Sequence, residues 1–113
     1  MRLRKDTNQV NSKDVDFIAK VSDALAHPAR IKMFRYIIKN NMQNKKICNR
    51  DIYLHFDLAQ ATVSQHIKNL VQSGLVEVNK SGKNSYYFAN MGLLMKYVDK
   101  TKKFAMEFTE NRR

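Results

Sequence analysis

Residues 51–78 read DIYLHFDLAQATVSQHIKNLVQSGLVEV, and this stretch decides the fold. Between Ala59 and Ser73 it places Val63, Ile67 and Leu70 at i, i+4 and i+7, the spacing that lines one face of a helix. Gly74 follows directly, where the end of a helix favours a residue that tolerates positive φ. Upstream, Cys48 to Phe56 reads as a short helix with Ile52 and Phe56 turned inward, and Asp57-Leu58 reads as a tight turn. Two short helices joined by so short a turn make a helix-turn-helix. In that motif the first helix braces the second, and the second enters the major groove of DNA.

Working outward, Leu75-Val76-Glu77-Val78 alternates like a strand and Ser85-Tyr86-Tyr87-Phe88 reads as a second one. The turn formers of residues 79–84 between them predict a β-hairpin. Residues 91–110 return to helical spacing, with Leu94, Val98, Ala105 and Phe108 on one side and Met91, Met95 and Phe104 nearby. On the other flank, Val15, Ile18, Val21 and Leu25 predict an amphipathic helix that His27-Pro28 breaks. Pro28 suits the first turn of the next helix, which runs through Ile31, Phe34, Ile37 and Ile38 to Asn40-Asn41. Asn44 to Lys46 is a polar turn. The fold class expected is mainly α with a β-hairpin wing, a winged helix-turn-helix. Residues 1–12 are expected to be a flexible arm and residues 13–113 the domain, with terminal helices at 13–26 and 91–110 for dimerisation.

Charge agrees with a nucleic-acid partner. Among 113 residues, 21 are Lys or Arg and 10 are Asp or Glu, a formal net charge of +11. Such a surplus favours a polyanion, with nucleic acid before an acidic membrane surface. No acidic residue lies between positions 58 and 76. At 100° per residue, the outer face of the helix over 60–72 carries Ala61, Thr62, Gln65, Lys68, Asn69 and Gln72. Gln65 can pair in bidentate fashion with adenine, Thr62 can meet a thymine methyl or a phosphate, and Lys68 can neutralise a phosphate. The expected contact set is Gln60, Thr62, Ser64, Gln65, Lys68 and Asn69 on the helix, with Lys80, Lys83 and Tyr87 on the hairpin. The bland alternatives are a polar solvated helix and an ordinary surface hairpin. A further rival class is a basic structural protein that binds nucleic acid or membrane surfaces without an operator. The mixed Lys/Glu polar face of the last helix weakens its membrane form.

These residues resemble a known family. The run 51–78, followed by KSGKNSYYF at 80–88 and preceded by ALAHPARIKMF at 24–34, is similar to the ArsR/SmtB winged-helix repressors. The TVSQHIKNL and GLV portions are its more specific parts. The resemblance implies a homodimeric repressor that binds a pseudo-palindromic operator in double-stranded DNA, with the terminal helices as dimerisation elements. Three positions depart from the family pattern. Asp57 stands where a turn glycine is usual, Ala59 replaces a capping serine, and Ala61 replaces a frequent proline. Asp57 can adopt left-handed backbone, or it can act with Gln60 as a displaced capping box, but not both.

Many members of that family release DNA when metal binds, through a Cys-x-Cys pair in the third helix or Asp/His/Glu ligands in the last. Here the first pattern survives only as Cys48-Asn49-Arg50, and a guanidinium repels a cation. The last helix offers Asp99, Glu107 and Glu110 but no histidine. No metal site and no cofactor is therefore expected. Cys48 reads first as a small buried packing residue, with a redox-sensing thiol and metal ligation as alternatives. His27 is read as capping or lining the second helix, and His66 as a half-buried structural side chain. Asp51 and His55 read as a solvated i, i+4 pair rather than acid–base machinery, and no enzyme motif appears. A lone cysteine and an N-terminus without an apolar stretch point to a cytoplasmic protein.

Overall fold

The computed structural model describes residues 10–109. Five helices and three strands follow one another as α1 (Ser12–Ala24), α2 (Pro28–Met42), β1 (Ile47–Cys48), α3 (Asn49–Phe56), α4 (Gln60–Ser73), β2 (Val76–Ser81), β3 (Asn84–Ala89) and α5 (Met91–Thr109). The mainly helical architecture with a hairpin wing is the one the sequence leads to. Of the expected arm, residues 1–9 lie outside the described residues, and its last part starts α1. The Asn11 side chain accepts from the Asp14 N–H at 2.9 Å, so the helix begins two residues before Asp14.

One core holds the elements together. Val21 and Ala24 of α1 meet Met33, Phe34 and Ile37 of α2, Ile52 of α3, and Val63, Ile67 and Leu70 of α4, with Ile47, Leu75 and Val76 closing it. Ile18 is half-buried outside this core, and two more of the expected inward residues are exposed, Val15 by 54% and Ile31 by 43%. Each lies about 120° round its helix from a fully buried neighbour, Val21 and Ile37 respectively. The apolar arc of each helix is thus wider than the part a single chain covers.

The hairpin is tighter than the sequence indicates. Pairing runs from Val76↔Ala89 to Ser81↔Asn84, which leaves a two-residue loop of Gly82 and Lys83 instead of a six-residue turn. Gly82 takes φ 63°, the positive value that lets a two-residue loop match the twist of its strands. A third strand appears that alternation could not reveal. Ile47 and Cys48 pair antiparallel with Tyr87 and Tyr86, giving the sheet order β1-β3-β2. The third helix therefore begins at Asn49, with Cys48 outside it.

Both turns around α4 are set by backbone. Asp57 is left-handed at φ 53° and ends α3. The capping-box alternative with Gln60 does not form, because Ala59 is the residue before α4 and makes no capping bond. At the other end Gly74 has φ 89°, and a Cβ there would lie 2.7 Å from Leu93 Cδ1. Ser73 Oγ donates to the Leu70 carbonyl at 2.7 Å and accepts from the Leu75 N–H at 3.1 Å, turning the chain from α4 into β2.

Candidate nucleic-acid interface

α4 buries Val63, Ile67 and Leu70 and turns Thr62, Ser64, Gln65 and Lys68 to solvent. Its first turn has no side-chain cap, so the leading N–H groups and the positive end of the helix dipole are open to an anion. Beside this end lies a cleft of about 340 Å³, lined by Asn49 and Arg50 of α3, Gln60 and Ser64 of α4, and Lys83 and Tyr87 of the hairpin. No carboxylate lines it. Folding thus brings residues up to 39 positions apart in the chain, Cys48 to Tyr87, to one acid-free, cationic surface.

The expected contact residues divide by how free they are. Thr62, Gln65 and Lys68 on α4, with Lys80 and Lys83 on the hairpin, are exposed. Gln60 is exposed at the cleft. Ser64 Oγ accepts from Asn49 Nδ2 at 3.1 Å, which ties α4 to α3. Asn69 is half-buried, and its Nδ2 donates to the Gln65 carbonyl at 3.1 Å, so that amide is engaged by its own helix. Tyr87 is half-buried, and burial, followed by the nearby Cys48, pushes its phenol above the ordinary tyrosine range. It therefore stays a neutral hydroxyl. Arg50 is not among the contact residues expected from the sequence. Its place in the cleft became visible only when β1 paired with β3 and set the start of α3 against the hairpin.

The other singled-out side chains have local structural roles. Cys48 is not a buried core residue: it is half-buried at the start of α3, where its N–H and Sγ–H both point to Asp51 Oδ2, at 2.9 and 3.3 Å. Asp51 thus caps α3 rather than pairing with His55. The His55 ring stacks on Tyr36 instead, with centroids 4.1 Å apart and 26° between planes. His27 precedes α2 without a capping bond, its ring 6.0 Å from that of His66. His66 is half-buried as expected, and its Nδ1 accepts from Arg30 Nε at 3.3 Å. Desolvation first, then the charges of Arg30 and His27, hold its pKa below the ordinary histidine value. Arg30 also donates to the carbonyls of Asp23 and Ala24 at 3.1 and 3.5 Å, so one guanidinium fastens α1, α2 and α4 together. Among the described residues, no three His, Cys, Asp or Glu side chains come together as a metal site would require.

A second surface is apolar. α5 contributes no buried residue, and Met91, Met95, Val98, Phe104, Met106 and Phe108 along it are exposed. Its polar side is fixed to α1: Lys100 Nζ reaches Asp14 Oδ1 at 3.1 Å, and the Ser22 and Tyr97 hydroxyls share a hydrogen bond of 2.7 Å. The molecule is correspondingly elongated, 58 × 24 × 24 Å, with a radius of gyration of 17.3 Å where a compact chain of this length has about 13 Å. No helix among the described residues is long and apolar enough to cross a membrane.

Comparison with known proteins agrees with this architecture. The family model of bacterial regulatory proteins of the arsR family matches residues 27–78. The chain is 32% identical over 78 residues to the arsenical resistance operon repressor of Staphylococcus xylosus, a match covering 69% of this chain and 67% of that one. With the repressor of the same description from Staphylococcus aureus it shares 37% identity over 49 residues, 43% of this chain and about half (47%) of the relative. Among solved structures, an ArsR-like transcriptional regulator from Rhodococcus sp. RHA1 superposes with a TM-score of 0.76 at 18% identity, covering 87% of this chain and 88% of that one. A homodimeric winged helix-turn-helix DNA-binding domain from Mycobacterium bovis superposes at 0.66 with 20% identity, over 100% and 97% of the two chains. The fold is a winged helix-turn-helix, and the chain belongs to the arsR family of bacterial regulatory proteins.

Proposed function

We propose that the protein is a homodimeric, sequence-specific DNA-binding repressor of transcription, with no enzymatic activity, working in the cytoplasm on a pseudo-palindromic operator. The observation that carries this reading is the acid-free surface formed by the exposed face of α4, its uncapped N-terminus and the Lys83 tip of the hairpin. Gln65 and Thr62 read base edges, while Lys68, Lys80, Lys83 and Arg50 hold phosphates. The repressor function of the two staphylococcal relatives supports the sign of regulation. The exposed apolar residues of α5 and exposed Val15 of α1 support a two-fold dimer, as does the homodimeric state of the mycobacterial neighbour. Two copies then present their α4 helices to half-sites about one helical turn, ~34 Å, apart.

Footprinting on fragments enriched from genomic DNA tests the reading. A discrete, two-fold protected site is expected. Uniform coverage without a preferred site would instead make this a basic architectural protein.

The effector differs from that of the arsenical repressors. Trivalent arsenic and soft divalent metals want several thiolates, whereas each chain has one cysteine, with Arg50 where the second would stand. Arsenite, zinc and cadmium are expected to leave operator affinity unchanged within a factor of two. A tenfold loss, about 1.4 kcal/mol, in the presence of stoichiometric metal would overturn this. One observation favours a thiol-responsive variant of the same function: Cys48 is half-exposed and lines the same cleft as Arg50 and Lys83. Peroxide that releases the wild-type protein from DNA but not Cys48→Ala would establish it.

A further inference from the structure

We propose that the cavity between α2 and α3 binds a small organic anion built on a flat ring, its charge held by Lys32, Arg35 and Lys39 and its ring by the Tyr36–His55 stack. The cavity is about 390 Å³, within the range of small-molecule sites. The three cations recur at steps of three and four along α2, so they lie in one row beside it. All three are exposed, no carboxylate lines the cavity, and none of the three is in an ion pair among the described residues. Three positive charges therefore line one concave space with no ion-pair partner among the described residues.

The floor is aromatic. His55 lies on Tyr36 with centroids 4.1 Å apart, and Phe56 meets both edge-on, at 5.5 Å from Tyr36 and 4.7 Å from His55. A flat ring extends such a stack by the same offset geometry, and a guanidinium beside it adds a cation–π contact. Burial, followed by the field of Asp51, holds the Tyr36 phenol above its ordinary pKa, so it remains a neutral hydroxyl. Asp51 itself is engaged by Cys48 at the start of α3. The cavity lies apart from the DNA cleft: α3 carries Asn49 and Arg50 at the cleft end and His55 and Phe56 at the cavity end. An occupant would thus touch the helix that braces α4.

The same chemistry fits an aromatic carboxylate or a nucleoside monophosphate. Calorimetric titration without DNA, using benzoate, AMP and inorganic phosphate as probes, separates them. The expected result is that benzoate or AMP binds once per chain, at least tenfold tighter than inorganic phosphate. Arg35→Gln and Lys39→Gln should each weaken that binding tenfold or more without moving the melting temperature. His55→Ala should remove the advantage of the ringed probe over phosphate. No saturation by any probe, equal affinity for phosphate, or wild-type binding by the glutamine variants would each overturn the proposal. So would variants that weaken duplex binding while no probe binds, because the lysine row would then be a flank of the DNA surface. Because the titration contains no DNA, its result is independent of whether α4 reads an operator.

Discussion

α4 and α5 carry similar apolar stripes and end in opposite environments. On α4 the stripe of Val63, Ile67 and Leu70 is buried completely or nearly so. On α5, which is longer, no residue is fully buried, and Val98 and Phe108 stand open although the stripe they belong to is just as regular. A periodic stripe says that a helix has a face to bury, but not whether the same chain supplies the cover. Within one chain, α1, α2 and α3 close over α4, whereas α5 reaches the core only through half-buried Leu93, Leu94 and Tyr97 and is tied to α1 by Lys100, leaving Val98 and Phe108 open. The first stripe makes the monomer, and under the proposed function the second makes the dimer.

The largest effect is expected where that contrast is sharpest. Leu70→Ala removes a fully buried side chain from the centre of the core and should cost ~2–5 kcal/mol in urea unfolding. The cost should be the same at low and high protein concentration. Val98→Lys should leave the fold of the chain intact but weaken dimerisation at least a hundredfold, about 2.7 kcal/mol, by sedimentation equilibrium. If Val98→Lys unfolds the chain as Leu70→Ala does, the two stripes have the same role and the comparison breaks.

Smaller effects sharpen the outer face of α4. Gln65→Ala should cost ~1–3 kcal/mol on the operator and relax preference at one or two positions of each half-site. Lys83→Ala should weaken all sequences alike and flatten the salt dependence by about one unit of slope per protomer. Titrations on operator and scrambled duplexes at several salt concentrations check both. Equal losses on the two duplexes for Gln65→Ala would remove α4 from base reading.

The smallest effect concerns the fastening of α4 to α1 through Arg30. His66 has a folded pKa below its unfolded value, so the unfolded chain takes up the proton first as pH falls. The stabilisation is complete above the unfolded value of about 6.5 and declines as pH drops from there through the lower folded value. His66→Gln should flatten that part of the stability–pH curve in thermal melts between pH 7 and pH 5. An unchanged slope would mean that neither burial nor the Arg30 charge disfavours the protonated His66 ring in the folded chain.

The helix-turn-helix was legible because its signals are local. The three-residue and four-residue steps of Val63, Ile67 and Leu70 and the glycine at position 74 each depend on a few consecutive residues, and so does the existence of the hairpin, though not the length of its loop. The exposed half of the interface followed from the same arithmetic, since a residue opposite a buried stripe faces solvent. What failed was whatever depends on a partner distant in sequence. Cys48 looked like a helical core residue because nothing near it shows that β3 will pair with Ile47 and Cys48. Asn69 looked free because its amide bond to the Gln65 carbonyl is one of several geometries open to an exposed helix side chain.

By itself, then, the sequence determined which segments are helices, where they stop, which side of α4 is polar and the sign of the surface charge. These follow from backbone preference, hydrophobic period and charge, all properties of neighbouring residues. Only the tertiary structure decided that Arg50 shares a cleft with Lys83, that His55 stacks on Tyr36 beside Lys32, Arg35 and Lys39, and that α5 leaves Val98 and Phe108 uncovered. Each of those is a long-range placement. Its free energy comes from contacts between segments far apart in the chain, and no local pattern encodes them.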